Sequence, residues 1–143
     1  RAVLAPLADP DADLATLVAP IADAAEAAAE QVVKAACAFA EGATVARALY
    51  FSRAPIPWGE GPRWHHIGIY AWRRSVLARF VALPPSPLER REKLEQLRAL
   101  EAGMRILCAR VAHAPFGVDT PDDLARARRT LAVPQRALIP EPE

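Results

Sequence analysis

His66-Ile67-Gly68-Ile69-Tyr70-Ala71-Trp72 and, two arginines later, Ser75-Val76-Leu77-Ala78-Arg79-Phe80-Val81-Ala82-Leu83 are the stretch that decides the fold class. The first run alternates at period two with isoleucine and aromatic residues, as a half-buried strand does. In the second, Val76, Phe80 and Leu83 recur at i, i+4 and i+7, which makes one apolar helix face, and Pro84-Pro85 stops it. A strand that passes directly into a helix predicts an α/β domain, and the flanking sequence repeats the alternation.

Upstream, Leu14-Ala15-Thr16-Leu17-Val18 is a short apolar run ended by Pro20 and reads as a buried strand. Asp23 to Gln31, rich in Ala and Glu, reads as an exposed turn or helix. Val32 to Phe39 returns to strand character, Glu41-Gly42 marks a turn, and Ala46 to Ser52 reads as the returning strand of a hairpin with a long connection. Pro55, Pro57, Gly59, Gly61 and Pro62 make 54–63 a surface loop. Gly68 marks a place in its strand where another backbone or a ligand comes close.

Downstream, Ser86 as cap, Pro87 at the first helical position and Glu89 three residues after the cap predict a helix start. The helix is expected to run to about Ala102, with Gly103 ending it, Leu94, Leu97 and Leu100 as its apolar edge and Glu89–Lys93 as a supporting pair. Met104 to Ala112 is again strand-like. Thr120-Pro121-Asp122-Asp123 repeats the start grammar, with Leu124, Ala127 and Leu131 as a buried stripe. Residues 1–133 are expected to form one domain piece, and 134–143, rich in Pro and Glu, a flexible tail.

The chain has 143 residues, enough for one domain that buries roughly 68% of its unfolded surface. Lys+Arg of 18 against Asp+Glu of 17 leaves a net charge of +1, with no basic block, which argues against nucleic acid as a partner. No apolar run approaches the ~20 residues of a membrane span. The chain opens on Arg1 without a signal-peptide layout, so the sequence is expected to begin inside a longer protein. Cys37 and Cys108 lie apart in apolar segments and read as buried thiols of a reducing compartment, and neither they nor His65, His66 and His113 have zinc spacing.

Arg53 follows a strand and precedes a rigid loop, where a guanidinium could grip a carboxylate bidentately, or simply sit in a surface ion pair. His66 and Tyr70, four apart on one strand face, could offer donors and acceptors to sugar hydroxyls, or be a satisfied structural histidine beside aromatics. Glu95 and Gln96 flank an apolar helix edge and could serve a polyol or face water. Asp119, in Gly117-Val118-Asp119-Thr120-Pro121, stands where a strand delivers a carboxylate to a sheet edge, as magnesium chemistry or an auxiliary helix cap would use it.

Together, Tyr50-Phe51-Ser52-Arg53-Ala54-Pro55-Ile56-Pro57-Trp58, His65-His66-Ile67-Gly68-Ile69-Tyr70, Pro84-Pro85-Ser86-Pro87-Leu88-Glu89, Leu94-Glu95-Gln96-Leu97-Arg98 and Gly117-Val118-Asp119-Thr120-Pro121 resemble the 3-deoxy-manno-octulosonate cytidylyltransferase (CMP-Kdo synthetase) family from about Leu14 to Leu131. The resemblance implies a partial Rossmann-like nucleotidyltransferase fold, with a mixed sheet flanked by helices, whose amino-terminal nucleotide-binding part is missing. It also implies magnesium dependence, a homodimer, a bacterial cytoplasmic setting, and the reaction of CTP with Kdo to give CMP-Kdo and pyrophosphate for lipopolysaccharide. Arg53 would hold the Kdo carboxylate, His66, Tyr70, Glu95 and Gln96 would line the sugar pocket, and Asp119 would be the catalytic magnesium ligand. The family's glycine- and basic-rich phosphate loop has no counterpart here, so inactivity of this chain alone is expected. The alternative is a non-catalytic sugar-acid-binding or dimerisation module.

Overall fold

The computed structural model describes residues 1–114, 124–125 and 127–129. After a 3-10 helix over Ala2–Ala8, the order is β1 (Leu14–Pro20), α1 (Ala24–Ala28), β2 (Lys34–Cys37), β3 (Val45–Ser52), β4 (Trp64–Trp72), α2 (Arg74–Val81), α3 (Pro87–Glu92), α4 (Gln96–Glu101) and β5 (Ile106–Arg110). The expected α/β class, with a mixed sheet and helices, holds. The five strands close into a ring in the order β1-β4-β2-β3-β5. Only β1 and β5 run parallel, and the other pairings are antiparallel.

Five strands leave much less interior than eight, and every strand carries a buried alanine: Ala15, Ala35, Ala48, Ala71 and Ala109. Side chains this small let so few strands close, which gives the alanine-rich composition a structural use. Around them Leu14, Val18, Phe51, Trp64, Leu97, Met104 and Ile106 form the core with Val76 of α2 and Leu94. Phe51, Leu97 and Ile106 have no exposed surface. Phe80, Leu83 and Leu100 pack on this cluster, as the helical spacing predicted.

The largest difference from expectation is in the second helical region. The anticipated single helix from Ser86 to Ala102 is two short helices broken at Lys93, whose backbone is left-handed (φ 58°, ψ 47°). Glu89 is correspondingly not paired with Lys93. Its carboxylate accepts from Ser86 N at 2.9 Å and from Arg98 Nε, on α4, at 2.7 Å. The Arg98 guanidinium lies 4.8 Å from the Phe80 ring centre. The hydrogen bonds from Arg98 and Ser86 hold the Glu89 carboxyl below the usual carboxylate range. A tertiary ion pair thus replaces the local i,i+4 pair and fixes the corner between the two helices.

Gly68 differs too. A Cβ placed on it would meet nothing within 4 Å, so no backbone approaches it. It belongs to a bulge: Ile67 pairs with Leu17 and Tyr70 with Thr16, leaving Gly68 and Ile69 as extra residues. Leu124, expected in a buried stripe, is 41% exposed. Cys108 is buried and Cys37 half-buried, and both are free thiols. Asp119, the Thr120 helix start, Leu131 and the proposed tail 134–143 lie outside the described residues.

Candidate functional site

The bulge in β4 brings the first pair of candidate residues together. In a regular strand, residues four apart are about 13 Å apart. Here His66 pairs with Val18 and Tyr70 with Thr16, two steps apart on β1, so the rings sit side by side with centroids 5.6 Å apart. The Thr16 hydroxyl, fully buried, is 3.0 Å from each of Ile67 O, Ile69 O and His66 Nε2. Its single proton goes to the two carbonyls, so it accepts from the Nε2–H of a neutral imidazole. Burial, aided by neighbouring His65, pulls the His66 pKa down to about 4. His66 is thus mostly committed to the core: it is 7% exposed and the Phe51 ring lies 4.8 Å from its own.

Tyr70 is half-buried, and its phenol pKa is raised by burial and then by the neighbouring Cys108 and Glu95. The helix corner therefore reaches this pair. Glu95 caps α4 and is exposed, while Gln96 opens α4 and is 6% exposed. No hydrogen bond to the Gln96 amide occurs among the described residues. Its amide atoms are not among the fully buried unpartnered ones, so the amide can reach water or a polar ligand at the surface of the corner.

Arg53 stands just beyond β3, two residues after Phe51, at a pocket of about 400 Å³ lined by Ala28, Glu30, Arg53, Ala54, Pro55, Arg91 and Glu92. Its Nε donates to the main-chain oxygen of Glu92 at 3.0 Å and its Nη1 to that of Glu30 at 3.0 Å. The Glu92 carboxylate accepts from Ser52 Oγ at 2.8 Å, Arg53 N at 3.1 Å and Tyr50 Oη at 3.4 Å. Beneath them Lys34 is fully buried, with Nζ donating to Ala29 O at 2.9 Å and Val32 O at 2.6 Å. Burial, and then the charge of Arg53, lowers its pKa.

The structure thus forms two clusters joined by one corner. His66 and Tyr70 belong to one, Arg53 to the other, and Glu95 and Gln96 stand on the corner between α3 and α4. Glu92 holds Arg53, the Glu95 charge acts on Tyr70, and Phe51 links His66 to the end of β3. The sequence reading passed over Thr16, Lys34 and Glu92. A lysine in an apolar run and a threonine in a strand were visible signals, whereas Glu92 looked like any solvated helix acid. No cluster of three or more His, Cys, Asp or Glu side chains suited to a metal occurs among the described residues. No helix among them is long and apolar enough to cross a membrane.

Comparison with known proteins places this geometry. A family model described as "Cytidylyltransferase" matches residues 1–106. A 3-deoxy-manno-octulosonate cytidylyltransferase of Rhodopseudomonas palustris (strain HaA2) is 63% identical over 131 residues, covering 92% of this chain and 53% of the relative. One from Afipia carboxidovorans is 64% identical over 132 residues, with 92% and 53% covered. The chain therefore spans about half the length of the curated relatives it matches. A solved structure of a CMP:2-keto-3-deoxy-manno-octonic acid synthetase complexed with CTP superposes with a TM-score of 0.79 at 41% identity, covering 91% of this chain and 54% of that one. A match over most of the chain's length, with relatives at this identity, settles the lineage: the chain belongs to the cytidylyltransferase family.

Proposed function

We propose that this chain is the sugar-acid side of a cytidylyltransferase that joins CMP, from CTP, to Kdo and releases pyrophosphate. It would be the carboxyl-terminal part, over 1–133, of a Rossmann-like nucleotidyltransferase domain working as a homodimer in the bacterial cytoplasm, where CMP-Kdo feeds lipopolysaccharide synthesis. The observation that carries the reading is Arg53, which lines the pocket beside Glu92 and takes part in none of the ion pairs among the described residues. The names of the relatives supply the substrates.

In this reading Arg53 takes the sugar carboxylate with its remaining N–H groups. Gln96, Glu95 and the Tyr70 hydroxyl bind sugar hydroxyls. His66 presents its Nδ1 lone pair and otherwise braces Tyr70. Tyr70 stays a neutral donor at any physiological pH because burial, and then the neighbouring Cys108 and the Glu95 carboxylate, oppose its ionisation. A sugar hydroxyl so held attacks the α-phosphorus of CTP in line. The new O–P bond forms as the bond to the β-phosphate oxygen breaks, pyrophosphate leaves, and the hydroxyl proton passes to solvent. Magnesium, when bound through an oxygen donor such as Asp119 and the substrate phosphates, supplies charge neutralisation.

Calorimetric titration of the chain with Kdo and separately with CTP tests this. Kdo binding that is lost in Arg53→Ala is expected, and unchanged affinity in that variant would remove Arg53 from the site. Kdo binding with no CTP response in the longer protein would instead support a non-catalytic sugar-acid-binding module. Asp119→Asn in that protein is expected to raise the magnesium concentration needed for half-maximal activity.

A further inference from the structure

We infer that Glu92 is a positioning residue, which fixes Arg53 against the pocket without neutralising its charge. This rests on the reading of Arg53 as the carboxylate grip. The observation is a division of labour within one residue. The Glu92 carboxylate spends its acceptor capacity on the Ser52 and Tyr50 hydroxyls and on the Arg53 backbone N–H. Its main-chain oxygen, a neutral group, takes the guanidinium Nε–H. The second hold on the guanidinium, from Glu30, is also a main-chain oxygen. None of the ion pairs among the described residues involves Arg53.

A guanidinium has five N–H donors. Two are used by the carbonyls, and the others remain on the two terminal nitrogens, the edge that grips a carboxylate in parallel. An acid side chain folded onto that edge would compete with the ligand, whereas carbonyls hold the arginine and leave both the edge and the charge free. The helix break at Lys93 makes this possible. In a continuous helix the Glu92 oxygen would accept from Gln96 N. The left-handed Lys93 ends α3 and releases that oxygen to Arg53, while Leu97 N and Arg98 N donate to Leu94 O and Glu95 O. Ser52 completes the brace by accepting from Ala54 N at 3.0 Å, which tightens the turn immediately after Arg53.

The sign of the mutational effect separates positioning from simple electrostatics. Removing a carboxylate beside an anion pocket should tighten anion binding by charge alone. Positioning requires the reverse for Glu92→Ala, with a weakening of Kdo binding of about tenfold or more, and near-wild-type or tighter binding for Glu92→Gln, which keeps the hydrogen bonds. Titration of the full 143-residue chain and of these variants with Kdo reads the effect. Glu92→Ala binding as tightly as wild type while Arg53→Ala binds nothing would overturn the inference and leave the site reading standing. Arg53→Ala binding like wild type would overturn the site reading itself. A ligand-free readout covers the case of a poorly folded alanine variant. In ¹H–¹⁵N spectra of the wild-type chain, the Arg53 Nε–H should be resolved and slow to exchange with water. Exchange at the rate of a free arginine side chain would overturn the inference without any variant.

Discussion

The neutral imidazole buried at the centre of the first cluster makes stability depend on acid in a way that can be worked out. The His66 pKa falls to about 4 in the folded chain from 6.5 unfolded. Between these values the unfolded chain takes up a proton that the folded chain refuses, so the contribution is whole above pH 6.5 and is lost as pH falls toward 4. At about 1.4 kcal/mol per pKa unit the total is about 3 kcal/mol, of which about 2 kcal/mol is spent between pH 7 and pH 5. Urea unfolding at those two pH values, on wild type and His66→Gln, isolates this part, because other titrating groups cancel between the two proteins. Wild type should lose about 2 kcal/mol more than the variant. A difference that stays flat with pH, or an imidazole resonance of the folded chain that titrates near 6.5, would refute the reasoning.

Three further outcomes follow from the packing. Thr16→Val keeps the shape but strands the His66 Nε2–H in the core, and should cost about 1–3 kcal/mol, lowering the calorimetric melting point by roughly 3–10 °C; a melt coincident with wild type would contradict the hydroxyl's place over the bulge. Phe51→Ala, at a site with no exposed surface, should cost about 3–5 kcal/mol in denaturant titration. Cys108, whose thiol pKa is raised by its contact with Cys37 and by burial, should resist alkylation until the chain unfolds, and mass mapping that finds it labelled as fast as Cys37 would count against that.

Periodicity carried most of the fold. Strands at 14–18, 32–39, 46–52 and 66–72 were legible because their alternation or apolar run is local, and α2 because its stripe is. The closure of the ring was not, since the parallel pairing of β1 with β5 joins residues 92 apart by backbone bonds that no side-chain pattern encodes. The break at Lys93 was invisible for a related reason: Glu89 was read with its i+4 neighbour, while its actual partner, Arg98, sits beyond the break. Of the site, the residue types at 53, 66, 70, 95 and 96 were readable. Which of them meet was not, because the meeting depends on a two-residue bulge, held by the Thr16 hydroxyl, and on a helix corner, held by the Glu89–Arg98 pair.

The ring has a consequence for how this chain can associate. Among the described residues each of the five strands has a neighbour on either side, so an incoming strand finds only short vacant stretches, such as the part of β4 beyond its two pairs with β2, to dock on. β-augmentation, whether by a peptide or by a second molecule, is thereby disfavoured. Any lasting self-association must be built from side chains meeting face to face, and single surface substitutions should be able to tune it without disturbing the sheet.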